Sequence, residues 1–146
     1  MNEKIEGIHE EEIVSVLADA HGEPEPVEVN GIAIPGCYRV SNGHVLLDGR
    51  VRRMLNNGWM LVSDAASQAV ASKILPQDKI NSLLEIGAGR GTKTVLLQSN
   101  AVRTWGSQID NYVALDNHEF KNKILVERAE QFGVKVADAV CADATV

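Results

Sequence analysis

Three glycines at alternate positions, Gly87, Gly89 and Gly91, follow a short apolar run that ends with Glu85 and one further apolar residue. The run predicts a strand, the glycines predict a tight loop, and the apolar residues beyond them predict a helix. Glycine lets a ligand approach the main chain because it has no β-carbon, and the first turn of a helix presents unpaired N–H groups. The stretch is therefore typical of a nucleotide-binding loop, with a plain structural turn as the alternative.

The spacing of these glycines separates the ligand classes that such loops bind. A dinucleotide-binding loop has the pattern Gly-x-Gly-x-x-Gly, and a triphosphate loop needs four residues between its glycines, then Gly-Lys and Ser or Thr. This chain has Gly-x-Gly-x-Gly, with an acid two residues before the first glycine. The pattern resembles motif I of the class I methyltransferases, which bind S-adenosylmethionine, and its spacing disfavours NAD.

Two further carboxylates follow apolar runs later in the chain. Asp116 closes the run 111–115, about 25 residues beyond the glycines, near the spacing at which the second strand of a βαβ unit delivers an acid to ribose hydroxyls. Asp143 follows the run 134–140 and is expected at the same rim of the sheet. The alternatives without a ligand are a helix N-terminal charge for Asp116 and a solvated carboxylate for Asp143.

Apolar periodicity and turn residues predict the elements that hold these side chains. In chain order we predict a helix at Ile8–Ala20, an edge strand at Val27–Val29, a strand at Trp59–Val62, a helix at Ala65–Leu75 and then the three strands that lead to the acids. Ser63-Asp64 is the predicted cap of the second helix, and Pro76 is its predicted end. The stretch 30–54 is turn-rich and partly β in this interpretation.

Charge is spread unevenly along the chain. The net charge of the 146 residues is −6, but residues 1–28 hold nine acids against Lys4, a net of −8, so residues 29–146 come to +2. An acidic head repels nucleic acid, which argues against RNA binding by bulk charge alone. Arg50, Arg52 and Arg53 form a compact basic cluster, either a solvated face or a phosphate site.

Length and composition predict one domain of ordinary size with few aromatic residues. No run approaches the roughly 20 apolar residues of a membrane span, and the start of the chain lacks a signal-peptide pattern, so we expect a cytoplasmic protein. The two cysteines, Cys37 and Cys141, lie far apart and outside any metal-ligand spacing. We expect reduced thiols at apolar core positions and no metal site.

A second pattern precedes the glycine loop. It consists of Gly58-Trp59-x-x-Val62-x-Asp64-x-Ala66-Ser67-Gln68, then Leu75-Pro76, and then the loop with its terminal Lys93-Thr94. The Sun/Fmu family of S-adenosylmethionine-dependent RNA cytosine-C5 methyltransferases has Gly-x-x-x-Val-Gln-Asp-x-Ala-Ser-Gln before an Asp-x-Cys-Ala-Ala-Pro-Gly-Gly-Lys-Thr loop. Residues 55–143 resemble this family, and the head of the chain loosely resembles the small domain that precedes the catalytic domain there.

Where the family has Ala-Pro-Gly-Gly-Lys-Thr, this chain has Gly89-Arg90-Gly91-Thr92-Lys93-Thr94, which keeps the final Lys-Thr. Arg90 replaces the proline and Thr92 replaces a glycine, which brings the loop closer to the generic class I pattern. By resemblance, Ser67 and Gln68 would shape the floor of the ligand pocket. The alternative is that both residues lie on a capped, well-packed helix with their polar groups outward.

The resemblance implies an α/β fold with a partial class I (Rossmann-like) sheet, strands 1–3, in residues 55–146, preceded by a small α+β segment in residues 1–54. It implies that Ala88 to Thr94 surround the methionine end of S-adenosylmethionine, that Asp116 holds the ribose and that Asp143 lies beside the adenine amine. The expected ligand-binding residues are Glu85, Gly87, Ala88, Gly89, Arg90, Gly91, Lys93, Thr94, Asp116, Asn117 and Asp143.

The function implied is the S-adenosylmethionine-binding portion of an RNA (rRNA) cytosine-C5 methyltransferase, incomplete without a C-terminal half. The family's cysteines lie in Pro-Cys and Thr-Cys motifs after the fourth and fifth strands, whereas this chain ends at Val146, after the third. We therefore assign no catalytic residue and do not expect Cys141 to be the nucleophile. The alternative is a non-catalytic S-adenosylmethionine-binding or dimerising module, degenerate or truncated relative to the family.

In a class I sheet the loop strand lies in the middle. With strands 1–3 alone, the strand 82–86 would therefore have an open, apolar edge. We expect the N-terminal β segment, a second copy in a homodimer, or a C-terminal half to cover this edge. RNA is the expected substrate, bound through regions outside this chain or supplied by a partner, and no membrane partner is expected.

Overall fold

The computed structural model describes residues 9–145. Within them the chain is an α/β structure with five α-helices and two β-sheets. The elements are α1 (Glu10–Asp19), β1 (Glu25–Val29), β2 (Ile32–Arg39), α2 (Gly49–Asn56), α3 (Ala65–Ile74), β3 (Ser82–Ile86), α4 (Thr92–Trp105), β4 (Asn111–Asp116), α5 (Glu119–Phe132) and β5 (Asp138–Cys141), with a short 3₁₀ helix at Gly43–Leu47. The predicted α/β class is confirmed.

The second sheet is parallel, with strand order β3-β4-β5. Parallel neighbours need a crossover connection, and α4 and α5 supply the two crossovers here. In the register of the sheet, Glu85 lies beside Ala114 and Asp116 lies beside Cys141. The carboxyl ends of all three strands therefore meet at one edge, which is where the sequence predicts its three acids.

Helices cover one face of this parallel sheet. Tyr112 and Ala114 of β4 are fully buried on that face, in a core that also contains Ala71, Ala88, Leu97, Ala101, Ile109 and Leu125. Side chains on a strand alternate between faces, so the neighbouring residues point the other way. On that opposite face Leu84 is 57% exposed and Ile86 is 64% exposed. The described residues therefore leave an apolar sheet face uncovered.

The outer edge of β3 is also unpaired within the described chain, since β3 pairs with β4 alone. The N-terminal strands β1 and β2 form an antiparallel sheet of their own. Of the three predicted covers for this edge, the N-terminal β segment is therefore wrong for residues 9–145. A second copy and a C-terminal half stay as predictions.

The N-terminal part of the chain, as far as Met60, packs as a small unit around its own apolar cluster, called the head cluster below. This cluster contains Ile13, Leu17, Val45, Val51, Met54 and Met60. The predicted first helix is confirmed at Glu10–Asp19, while Ile8 lies outside the described residues. The predicted edge strand is confirmed and extends from Glu25 to Val29. Positive φ angles at Asn30 and Gly31 form the tight turn that leads into β2.

The predicted strand at Trp59–Val62 is wrong. Residues 60–64 form no strand in either sheet. Met60 is buried in the head cluster, whereas Val62 is 66% exposed. The apolar residues that suggested a strand thus pack against helices on one side and face solvent on the other. A strand needs a sheet edge to pair with, and this segment pairs with none.

Helix α2 was not predicted, because its three arginines interrupt the apolar residues that stand at helical spacing. Asp48 caps the helix by accepting hydrogen bonds from the amides of Arg50 and Val51. The Arg50 side chain forms ion pairs with Asp48 and Asp19, at 3.3 and 3.2 Å. The hydrogen bonds and charge of Arg50 lower the pKa of Asp48. Arg50 thus belongs to a solvated, ion-paired face.

A buried glutamine ties the parallel strands together near their starting ends. Gln98 on α4 is fully buried, and its Nε2 donates hydrogen bonds to the carbonyl oxygens of Ile109 and Lys135, at 3.0 and 2.6 Å. Its Oε1 accepts a hydrogen bond from the Ile109 amide at 2.8 Å. One side chain thus satisfies three main-chain groups ahead of β4 and β5. The predicted third strand is correspondingly shorter than the run 134–140, beginning at Asp138.

No helix in the part of the chain that the structure describes is long and apolar enough to span a membrane.

Candidate functional site

The glycine loop joins β3 to α4 at the carboxyl edge of the parallel sheet. The φ angles of Gly87, Gly89 and Gly91 are +74°, +60° and +78°. They lie in the left-handed region, which residues with a β-carbon rarely adopt. The amides of Gly87 and Ala88 both donate hydrogen bonds to the carbonyl oxygen of Leu115, at 2.8 and 3.0 Å. The alternate-glycine pattern therefore encodes a loop that folds back on the end of β4.

The three glycines differ in the space around them. A β-carbon at Gly87 would meet no atom within 4 Å, and one at Gly89 would meet only the Gly87 carbonyl oxygen at 4.0 Å. At Gly91 it would lie 2.9 Å from Cγ of Leu125, a buried residue of α5. The loop is thus an open cradle at its first two glycines, whereas the third allows α4 and α5 to pack closely.

Asp116 holds this loop from the end of β4. Its Oδ2 accepts a hydrogen bond from the Gly89 amide at 2.9 Å, and its Oδ1 accepts one from the His118 amide at 3.0 Å. The His118 ring lies 3.1 Å from Oδ1, and Lys121 Nζ lies 3.8 Å from it. Burial alone would raise the pKa of Asp116, but these hydrogen bonds and the Lys121 charge lower it. The carboxylate is therefore ionised in the neutral range.

Glu85 lies on the same face of the sheet, at the end of β3. Its Oε2 accepts hydrogen bonds from the hydroxyls of Thr94 and Tyr112, at 2.6 and 2.8 Å. Thr94 was expected to contact the ligand, but its side chain is 1% exposed and lies beneath the loop, where it holds Glu85. Tyr112 was not among the residues predicted for the site. Its signal was strand alternation, which places Tyr112 and Asp116 on one face.

Asp143 lies beyond the end of β5, at the rim where Asp116 closes β4. Its Oδ1 accepts hydrogen bonds from the hydroxyl and the amide of Thr145, at 2.7 and 2.8 Å, and these bonds lower its pKa. The side chain is exposed, as is Asn117 beside Asp116. The structure therefore brings the ends of all three strands to one rim, with Glu85 and Asp116 at the loop and Asp143 further out.

The remaining expected ligand residues divide into inner and outer positions. Ala88 is buried in the main core, whereas Arg90 and Lys93 are exposed on the loop and on the first turn of α4. No side chain caps α4, because Gly91 holds the capping position. The first amides of α4 therefore have no side-chain acceptor at the cap.

The two cysteines have different environments. Cys37 is buried as expected, and burial raises the pKa of its thiol. The prediction of a core position for Cys141 is wrong, because its side chain is exposed. It is the last residue of β5, at the edge of the parallel sheet opposite β3, and exposed Asp143 follows two residues later.

The segment with Ser67 and Gln68 faces a different cavity. Asp64 caps α3 by accepting a hydrogen bond from the Ser67 amide at 2.7 Å. Gln68 lines a cavity of about 260 Å³ between the head of the chain and α3, together with Tyr38 and Met60. No residue of the glycine loop lines this cavity. The predicted cap is therefore confirmed at Asp64, whereas Gln68 lies at a cavity separate from the glycine loop.

A comparison with models of known protein families finds no match for this chain. A comparison with curated proteins also finds no match.

Proposed function

We propose that this chain binds S-adenosylmethionine at the glycine loop, as the cofactor-binding portion of an RNA cytosine-C5 methyltransferase. The observation that carries the proposal is the open cradle at Gly87 and Gly89, which lies between two carboxylates at the carboxyl edge of a parallel sheet. Ligands of open α/β sheets bind at that edge. The resemblance to the Sun/Fmu family supplies the substrate class.

The residues present fit an adenosyl sulfonium. The open space above Gly87 and Gly89 admits a ligand against the main chain. Asp116 is ionised, and each oxygen of a carboxylate can accept more than one hydrogen bond, so Asp116 could hold the loop and two ribose hydroxyls together. Glu85 places a second carboxylate beside the loop for a cationic group. When bound, the cofactor would supply an electrophilic methyl group.

The chain's own residues would bind and orient the cofactor in this proposal. The described cysteines do not stand in the Pro-Cys or Thr-Cys context of the family's nucleophiles, and Cys37 is buried in the head of the chain. This observation favours the second candidate function, a non-catalytic S-adenosylmethionine-binding or dimerising module. A methyltransferase half and such a module share the cofactor site and differ in whether a partner adds the nucleophile.

Isothermal titration calorimetry with S-adenosylmethionine tests the site. We expect binding by the wild type and a 10- to 100-fold weaker affinity in Asp116→Ala, because charged hydrogen bonds to the ribose contribute about 1.5–3 kcal/mol. Asp110→Ala is the matched control. Asp110 immediately precedes β4, at the end of the strand opposite Asp116, and forms an ion pair with exposed Lys135 at 2.7 Å. Its affinity should match the wild type.

Asp116→Asn separates the ligand role from the loop role, because asparagine keeps the size and one acceptor of the side chain. A wild type that binds no S-adenosylmethionine contradicts the proposed function. Equal losses in the Asp110 and Asp116 variants also contradict it, since the effect would then be a general one.

We propose that the uncovered edge of β3 is an assembly surface, filled by a second copy of the chain or by a C-terminal half. Light scattering coupled to size exclusion should show a mass that rises above the monomer with concentration. Leu84→Lys should abolish this rise, because a charge on an edge strand opposes pairing. Leu47→Lys is the control, since Leu47 is also exposed but lies in the 3₁₀ helix of the head. A monomer at every concentration contradicts pairing between copies.

A further inference from the structure

We propose that Tyr112 is a positioning residue that holds one oxygen of Glu85 so that the other oxygen faces the cationic end of the ligand. The inference rests on the proposed cofactor site and adds to it a residue from the buried face of the sheet.

Three elements meet at the Glu85 carboxylate. Tyr112 on β4 and Thr94 on α4 donate hydrogen bonds to the same oxygen, Oε2, at 2.8 and 2.6 Å. Both donors are essentially without solvent exposure, at 0% and 1%. A core side chain has few rotamers available, so two buried donors fix the orientation of the carboxylate. The position of Glu85 is thus set from beneath the loop.

The other oxygen of Glu85 is free. Among the described residues none donates a hydrogen bond to Oε1, and this atom is not among the buried polar atoms that lack a partner. Glu85 is half-buried and stands two residues before Gly87, where the cradle is open. A carboxylate with one oxygen anchored and one oxygen accessible presents a fixed negative charge to a cation.

The tyrosine remains a donor throughout the neutral range. Burial, the Glu85 charge and the hydrogen bond to Glu85 raise the pKa of Tyr112 far above its usual value. The phenol therefore keeps its proton. The neighbouring Thr94 hydroxyl is also neutral, so the two donors add no charge of their own. Both donors to the Glu85 carboxylate are therefore uncharged hydroxyl groups, so a cation of the ligand would be its charged partner.

The two carboxylates of the site would then bind different parts of the ligand. Asp116 is already bonded to two main-chain amides, and hydroxyl groups of a ribose can add to them. Glu85 retains an oxygen without a donor and attracts the ammonium or sulfonium group of the methionine portion. Tyr112 acts only through Glu85 and so affects only that portion. This division gives the proposal a readout that a purely structural role would not produce.

The test compares two ligands in wild type and Tyr112→Phe. S-adenosylmethionine carries the charged end, whereas 5′-methylthioadenosine keeps the adenosine and the sulfur but lacks the sulfonium charge and the amino acid. Phenylalanine preserves the ring that packs in the core and removes only the hydroxyl. We expect about tenfold weaker binding of S-adenosylmethionine and less than a twofold change for 5′-methylthioadenosine, measured by calorimetry.

Two further variants complete the test. In the Glu85→Gln background, adding Tyr112→Phe should no longer change the ratio of the two affinities, because the charge that Tyr112 positions is gone. Thr94→Val removes the other donor and should give the same selective loss, which keeps the test valid if Tyr112→Phe does not fold.

The outcomes separate the two proposals. If the wild type binds both ligands but the variants weaken both equally, or neither, the positioning role is overturned and the cofactor site stands. If the wild type binds neither ligand, the proposed function fails and the positioning role fails with it.

Discussion

Replacing Gln98 with leucine is expected to lower the free energy of unfolding by about 4 kcal/mol. Leucine is close in size to glutamine, so the core stays filled. Three main-chain groups, the amide and carbonyl of Ile109 and the carbonyl of Lys135, nevertheless lose their hydrogen bonds to the Gln98 side chain. A buried polar group without a hydrogen bond costs about 1–3 kcal/mol. Guanidinium denaturation of the wild type and the variant, followed by circular dichroism, measures the difference.

The control for this prediction is Gln131→Leu. Gln131 also donates through its side chain to two main-chain oxygens, those of Leu55 and Asn56, but it is exposed and water can replace it. We expect a change within about 1 kcal/mol. A similar loss in both variants, or a Gln98→Leu protein as stable as the wild type, would show that Gln98 does not join the strands as described.

Replacing Gly91 with alanine is expected to cost about 3 kcal/mol of stability, and replacing Gly87 about 1 kcal/mol. Both positions have φ angles in the left-handed region, so both variants carry backbone strain. Only at Gly91 would the new β-carbon also press on Leu125, 2.9 Å from its Cγ and 3.3 Å from its Cα. The backbone of α5 cannot move away without disturbing the core.

The two glycine variants should separate an effect on ligand binding from an effect on stability. Gly87→Ala fills part of the open cradle and is expected to weaken S-adenosylmethionine binding while the protein remains folded. Gly91→Ala should act mainly on the melting temperature, measured by thermal unfolding followed by circular dichroism. A Gly91→Ala protein with wild-type stability would contradict the packing role of this glycine, and a Gly87→Ala protein with full affinity would argue against the cradle.

Much of the carboxyl-edge arrangement could be predicted from the sequence. Parallel strands joined by helices bring their carboxyl ends together, so the acids after three apolar runs had to meet at one edge. The glycine spacing then placed a loop of unusual φ angles at that edge. Glu85 and Asp116 accordingly lie at the same edge of the sheet, as predicted. These inferences needed only strand direction and alternation, which are local properties of the chain.

Other features depended on tertiary contacts that no local pattern reveals. A glutamine in a helical pattern is expected at the surface, yet the Gln98 side chain bonds main-chain groups 11 and 37 residues further along the chain. The strand predicted at Trp59–Val62 had suitable residues but no edge to join.

Helix α2, in contrast, had a local signal in the sequence, since Asp48 precedes apolar residues at helical spacing, including buried Val51 and Met54. The arginines between them outweighed that signal.

Strand β3 is both an edge strand of its sheet and the strand that leads into the glycine loop. A strand that joins β3 therefore also restrains the loop. Thermodynamic reciprocity then requires that a small molecule ordering the loop raise the affinity of β3 for that strand by the same factor. Cofactor binding and assembly would thus be coupled equilibria, each a regulator of the other.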